Sequence, residues 1–391
     1  MEIIHSYIKE IKLSGYKSIK NVSYDFNHGL NIIIGNNGSG KTNLLKFIDR
    51  IFKRNYEGLD LFSAKINVSK AGLKFEDYSW IAENSLSKKN NLQPLKNNIE
   101  SLKNDLELVE PKSEKNFKTS FISYQIPKEI PIISNEYSLK FDVKSSRVLN
   151  DSFSRFAPYS LLLFPSTFNK FFFENKQFIN EINENELKKV LNDYLEKDLV
   201  DIKYSLFRFT PVEDFRFNDS ARLSKIDSGV IEFRNIVFEY KVNNEWFDWN
   251  GLSDGTKRLI YIIFFISPLE YEHFLSMTDP LEITRIYEVI LLEEPELGIH
   301  PHQLHLLLTF LKEQSKSQQI IITTHSPQVL DMLDKSELNN IGIAEIDYEK
   351  GTTLRHLTNE EIEKATYYLE NNGMLSDYWR FSDFQRQKNS K

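Results

Sequence analysis

No cysteine occurs among the 391 residues, which excludes disulfides, thiolate metal centres and cysteine nucleophiles. Long apolar runs are also lacking. The longest, Leu259 to Ile266, falls far short of the roughly 20 residues that cross a bilayer, and the first residues have no uninterrupted apolar core of a secretory signal. The expected location is the cytoplasm, without a membrane partner. An excess of positive charge is missing too: 49 Lys and Arg against 56 Asp and Glu leave a formal net charge of −7. The field of the whole molecule therefore gives no drive toward nucleic acid. DNA stays open as a partner only through a local patch, for Lys65, Lys70, Lys74, Lys88, Lys89 and Lys96 gather in one stretch, diluted by Glu76, Asp77 and Glu83. There is no long heptad repeat either. Leu92, Leu95, Ile99, Leu102, Leu106 and Val109 form one short run, which suits an amphipathic helix packed on its own domain or on a partner rather than an extended coiled coil.

What is present begins with Gly35, Asn36, Asn37, Gly38, Ser39, Gly40, Lys41 and Thr42, a complete phosphate-binding loop. It follows the apolar run Leu30 to Ile34 and precedes the helical spacing Leu44, Leu45, Ile48, Ile51 and Phe52. Glycines let the backbone turn its N–H groups inward around a phosphate chain, while Lys41 reaches the terminal phosphates and the Thr42 hydroxyl takes a place on Mg²⁺. The positive end of the following helix faces the same anion. ATP with Mg²⁺ is the expected ligand.

Three downstream segments extend this chemistry. Leu252 to Thr256 read LSDGT and open the apolar helix that runs to Ile266, so Ser253 and Gly255 stand at a helix N-terminus fit for a second anion contact. Val289 to Leu292 read as a buried strand ending in Glu293, Glu294, Pro295 and Glu296, which puts carboxylates at its C-terminal end to hold Mg²⁺ and orient water. Ile320 to Ile322 make a second such strand, ending in Thr323, Thr324, His325, Ser326 and Pro327, so an imidazole is offered at the same edge.

On these motifs the chain resembles an ABC-type ATPase head of the OLD, RecF and SMC group. The resemblance covers Ile8 to Phe52 and Leu252 to Asp331. It implies that Lys41 and Thr42 bind phosphate and Mg²⁺, that Glu293 is the metal-associated Walker B acid, and that Glu294 is the catalytic carboxylate. Ser253 and Gly255 become the signature, Leu297 to Pro301 the D-loop, and His325 the switch histidine. Glu293 departs from the Asp of most ABC proteins, as OLD-like heads do. Gln125, in Ser-Tyr-Gln-Ile, is a candidate for the metal-contacting Q-loop, with an ordinary strand residue as the alternative. Ser253 precedes Glu293 by 40 residues, whereas transporter heads carry the signature close ahead of Walker B, so transport is not expected.

The implied fold is α/β: a P-loop NTPase of ABC type with a mixed sheet core, a helical signature lobe and an inserted α+β region. Residues 1–52 and 229–357 are expected to form the ATPase core, 53–228 the insert, and 358–391 a C-terminal helix and tail. Within the insert a helix is expected near 92–110 and another near 180–199, with strands at Phe117 to Gln125 and Tyr137 to Val143. Val230 to Lys241 reads as one strand, Asn243-Asn244 as a turn, Thr358-x-x-Glu361 as a capping box, and Gly373 as a helix stop. Three other features read blandly. His300, His302 and His305 belong to a helix start rather than a zinc site, and the Phe164 to Phe173 cluster suits a core or partner contact. Glu345 and Asp347 resemble the acids of a TOPRIM nuclease, but too little chain follows them, so no nuclease is expected.

Such a head implies two copies closing around ATP, with Ser253 and Gly255 of one facing the P-loop of the other, and hydrolysis by Glu294 reopening the homodimer. The chain most resembles the stand-alone OLD-like ATPases of bacterial anti-phage systems, including Septu, PARIS and abortive-infection types. These act with a separately encoded effector such as a nuclease or toxin. A RecF-like ATP-dependent DNA clamp in repair and a regulatory interaction module with weak ATPase activity are the alternatives.

Overall fold

A computed structural model describes residues 7–52, 62–69, 76–82, 120–126, 137–142, 147–148, 200–217, 222–226, 229–236, 238–266, 286–371 and 373–381, with scattered positions between 183 and 197. The expected helix near 92–110 and the Phe164 to Phe173 cluster lie outside the described residues.

The chain divides into two compact units. The first comprises residues 1–128, 281–296 and 311–391 and is built on one ten-stranded sheet. In chain order its elements are β1 (Tyr7–Tyr16), β2 (Ile19–Asp25), β3 (Leu30–Ile34), α1 (Lys41–Phe52), β4 (Phe62–Ser69), β5 (Glu76–Ala82) and β6 (Ser120–Ile126). The second unit supplies β7 (Tyr137–Asp142), β8 (Arg147–Val148), α2 (Val200–Phe209), β9 (Asp214–Phe217), β10 (Arg222–Ile226), β11 (Val230–Ile236), β12 (Phe238–Val242), β13 (Glu245–Asp248) and α3 (Asp254–Ile266). The first unit resumes with β14 (Ile286–Glu293); α4 (Pro301–Gln314) is divided between the units; then come β15 (Gln319–Thr324), β16 (Ile341–Asp347), β17 (Gly351–His356), α5 (Asn359–Glu370) and α6 (Leu375–Phe381).

The strand order β5-β4-β1-β2-β17-β16-β3-β15-β14-β6 separates two regimes. From β16 to β6 neighbouring strands are parallel. These interior strands are covered on both faces, and so β3 and β15 are buried at every residue. From β5 to β17 the pairs are antiparallel, and β1 interleaves buried Ile8, Ile11, Leu13 and Tyr16 with more exposed residues. Helix α1 buries Leu44, Leu45, Phe47, Ile48 and Ile51 into one cluster with residues of both regimes, among them Ile11, Ile66, Leu291 and Ile321. The result is an α/β fold on a mixed sheet, with the parallel strand ends aimed at the glycine-rich loop between β3 and α1.

The expected insert 53–228 divides between the units: β4, β5 and β6 are strands of the ten-stranded sheet, and residues 129–228 belong to the second unit, together with 229–280. In that unit the run Val230 to Lys241 forms two strands, not one. β11 joins a four-stranded sheet and β12 a three-stranded one. A register irregularity between Phe233 and Ile236 precedes the change, and an irregularity of this kind bends a strand without interrupting its alternating sequence. Asn243 and Asn244 take φ of 52° and 66° and close the β12–β13 hairpin, as a two-residue turn matched to strand twist requires. Phe215 packs against Phe238, Tyr240 and Phe264, joining that small sheet to α3.

The C-terminal signals act locally. Thr358 caps α5 with a reciprocal box to Glu361. Gly373 lies against the Tyr368 ring, where an added Cβ would meet ring carbon at 2.3 Å. Asp347 accepts the N–H groups of Glu349 and Lys350 at 2.8 and 3.0 Å, which closes the turn between β16 and β17.

Candidate nucleotide site

The P-loop leaves β3 with the Gly35 N–H donating to the Thr324 carbonyl at 3.3 Å. A Cβ at Gly35 would stand 2.1 Å from the Ala344 carbonyl, so the chain passes directly over β16. Asn36, Asn37 and Gly38 form the exposed crest, while Ser39 is buried. Gly40 turns back with φ 94°, and its Cβ position lies 2.0 Å from the Thr352 hydroxyl. That hydroxyl donates to Ser18 Oγ at 2.8 Å, and the Asn43 amide donates to the same oxygen at 2.8 Å. Ser18 and Thr352 thus brace the loop from the β1–β2 turn and from β17. No sequence pattern marks them, since 334 positions separate the two.

Lys41 opens α1 and is buried. Its ammonium donates to the carbonyls of Gly35 and Asn36 at 2.7 and 2.9 Å, inside the concavity of the loop. The adjacent Thr42 hydroxyl donates to Glu293 Oε1 at the end of β14. A hydroxyl and a carboxylate held side by side are hard oxygen donors, a pair suited to Mg²⁺.

One residue on, Glu294 has φ 45°, a left-handed backbone that costs a side-chain-bearing residue about 1–3 kcal/mol. Its N–H donates to the Thr323 carbonyl at 2.8 Å, fastening the end of β14 to β15. Its buried carboxylate meets His325 Nδ1 at 3.0 Å. Glu296 Oε1 accepts the Thr324 hydroxyl at 2.5 Å, and burial pushes this carboxyl above the ordinary glutamate range. Lys41, Thr42, Glu293, Glu294 and His325 are thereby gathered at one edge of the first unit's sheet. Gln125 lies on β6 at the register position opposite Leu291, two residues before Glu293.

Ser253 and Gly255 belong to the second unit, with Leu297 to Pro301. Ser253 is exposed and caps α3: its Oγ accepts the Thr256 N–H at 3.2 Å. Gly255 permits close approach to the Gly298 carbonyl, 2.9 Å from its Cβ position, so the start of α3 packs against the Leu297 to Pro301 segment. Pro301 begins α4, and His300 Nδ1 accepts the His302 N–H at 3.3 Å.

The chain is 27% identical over 349 residues to the Septu protein PtuA of Bacillus thuringiensis, covering 86% of this chain and 76% of that one. It is 50% identical over 46 residues to a structural maintenance of chromosomes protein 3 homolog of Plasmodium falciparum, covering 12% of this chain and 4% of that protein. Among solved structures, an Smc head domain with an extended coiled coil, bound to a ScpA domain from Pyrococcus furiosus, aligns over 94% of this chain and 100% of its own. Its TM-score is 0.45 and its identity 16%. The SMC head domain of Thermotoga maritima aligns over 90% and 99%, with TM-score 0.42 and 14% identity. The family model described as "AAA domain, putative AbiEii toxin, Type IV TA system" matches residues 30–331. That span runs from the strand ahead of the glycine-rich loop past His325, and the chain belongs to this AAA-domain family.

Proposed function

We propose that this chain binds and hydrolyses ATP with Mg²⁺, that two copies close around the nucleotide, and that the nucleotide state governs a separately encoded effector in anti-phage defence. The observation that carries the reading is the pairing of Thr42 with Glu293 and of His325 with Glu294 on neighbouring strand ends beside Lys41. Similarity to the Septu protein over most of the chain supports the defence role.

Lys41 places its ammonium where the terminal phosphates of ATP would lie. Thr42 and Glu293 would hold Mg²⁺, with Gln125 a further contact from β6; the ion supplies charge neutralisation for phosphoryl transfer. Glu294 orients the attacking water, and His325 holds that carboxylate while Lys41 steadies developing charge. Ser253 and Gly255 of a second copy face the γ-phosphate, so two equivalent sites form about a two-fold axis. Hydrolysis then reopens the pair and releases the effector state.

The test expresses the chain with its genetic neighbour in phage-challenged cells. Wild type should protect, while Lys41→Ala and Glu294→Gln should lose protection. In the purified protein Lys41→Ala should abolish ATP binding, whereas Glu294→Gln should bind ATP and turn over at least about tenfold more slowly. Neither DNA nor RNA should be cut. Protection without any neighbour, or nuclease activity in the pure chain, overturns the partnership; tight ATP-dependent DNA binding with no effect on phage transfers the reading to a repair clamp.

A further inference from the structure

The carboxylate row at the end of β14 contains one member with no part in the chemistry above. Glu296 stands two residues beyond Glu294, across Pro295, whose ring fixes the intervening backbone. Its Oε1 accepts the Thr324 hydroxyl at 2.5 Å, and its Oε2 is buried without a hydrogen-bond partner. A buried carboxylate oxygen left unsatisfied is costly, so a purely structural account of Glu296 is poor: an apolar residue would fill the place at less expense.

Thr324 shows where that cost is spent. Its side chain is fully buried. The hydroxyl that donates to Glu296 also accepts the Ser326 N–H at 2.9 Å, and its carbonyl accepts the Gly35 N–H of the P-loop. His325 therefore lies between two residues joined through the one hydroxyl that Glu296 accepts, and its ring meets Glu294 at 3.0 Å. Without the Glu296 strut, the Thr324 hydroxyl that accepts the Ser326 N–H would lose the acceptor that orients it, and the imidazole would be free to swing relative to Glu294.

We infer that Glu296 is a positioning residue: through the Thr324 hydroxyl it fixes the segment carrying His325 and so holds the imidazole against Glu294. The inference rests on the ATPase reading for its effect on rate, but the placement of His325 is measurable without turnover. A displacement of about 1 Å near the chemistry costs turnover up to about a hundredfold, while ATP contacts through Lys41 and Thr42 remain.

The experiment compares Glu296→Ala, Glu296→Gln, Thr324→Val and Thr324→Ser in the full chain. Glu296→Ala and Thr324→Val should lower kcat about tenfold or more with the KM for ATP changed less than about twofold. Glu296→Gln keeps an acceptor and Thr324→Ser keeps the hydroxyl, and both should restore most of the rate. In a His325→Ala background, Glu296→Ala should add no further loss, since both act on one contact. Losses that multiply, a change in KM instead of kcat, or an unchanged kcat overturn the inference. In parallel, nitrogen NMR of histidine-labelled protein reads the His325 Nδ1 signal. In Thr324→Val it should move toward its position in Glu294→Gln, and an unmoved signal overturns the strut. Absence of ATP hydrolysis in wild type would instead defeat the ATPase reading, leaving the NMR comparison to judge the strut.

Discussion

At the scale of single residues, the site depends on backbone positions that ordinary side chains resist. Gly40 is the sharpest case, with φ 94° and a Cβ position 2.0 Å from the Thr352 hydroxyl. Gly40→Ala must carry a left-handed backbone costing about 1–2 kcal/mol and also displace Thr352, which holds Ser18. We expect the melting temperature to fall by several degrees and ATP affinity to drop by more than about tenfold. Calorimetry and a nucleotide titration on the same sample check both. A variant with wild-type affinity would show that the brace is irrelevant to the loop. Glu294 is the other strained position, and here the left-handed backbone carries the carboxylate itself. Strain held at a group placed against an imidazole fits a position retained for chemistry rather than stability.

At the scale of elements, caps and ion pairs decide where segments stop. Arg355 on β17 makes two hydrogen bonds to Glu361 at 2.8 and 3.1 Å, and Glu361 also closes the capping box of α5. Partial burial pushes the Glu361 carboxyl up, but the guanidinium and the Thr358 N–H outweigh it and hold the pKa below the ordinary glutamate value of 4.5. A carboxyl depressed in the folded state contributes stability that is present above its unfolded value and lost as pH falls through the folded one. Arg355→Met should therefore melt a few degrees below wild type near neutral pH, the exposed edge of the pair keeping the effect small. The gap should narrow as pH drops below 4.5. Thermal melts of both proteins across that range decide it, and a gap that persists in acid would assign the loss to packing of the arginine stem.

At the scale of the whole molecule, association is the central expectation. Ser253 is exposed at the start of α3 and also caps that helix, so its substitution needs a control. Glu294→Gln with ATP should sediment as a dimer, because binding proceeds while hydrolysis stalls. Adding Ser253→Arg should return it to monomer, whereas Ser253→Asn, which still caps, should leave the dimer intact. A dimer that survives Ser253→Arg, or one that forms without nucleotide, would remove the signature from the interface. The formal charge of −7 opposes pairing weakly and is screened by salt, so the comparison belongs at fixed ionic strength.

The sequence by itself determined the local chemistry. A P-loop between an apolar strand and a helix, carboxylates at the end of one buried run and an imidazole at the end of another are contiguous patterns, because strand, loop and helix propensities act over a few residues. The Asn243-Asn244 turn and the Thr358 to Glu361 cap are legible for the same reason. Tertiary structure alone decided the rest. Ser18 and Thr352 meet behind Gly40, and Thr324 meets Glu296, through sheet neighbours far apart in the chain. Strands β4 to β6 join the core sheet although nothing local distinguishes them from strands of a separate insert, since a strand's sequence specifies its faces but not its neighbours. The split of Val230 to Lys241 between two sheets is of the same kind: alternation fixes which side is apolar, and only packing against a second layer fixes which sheet each half joins.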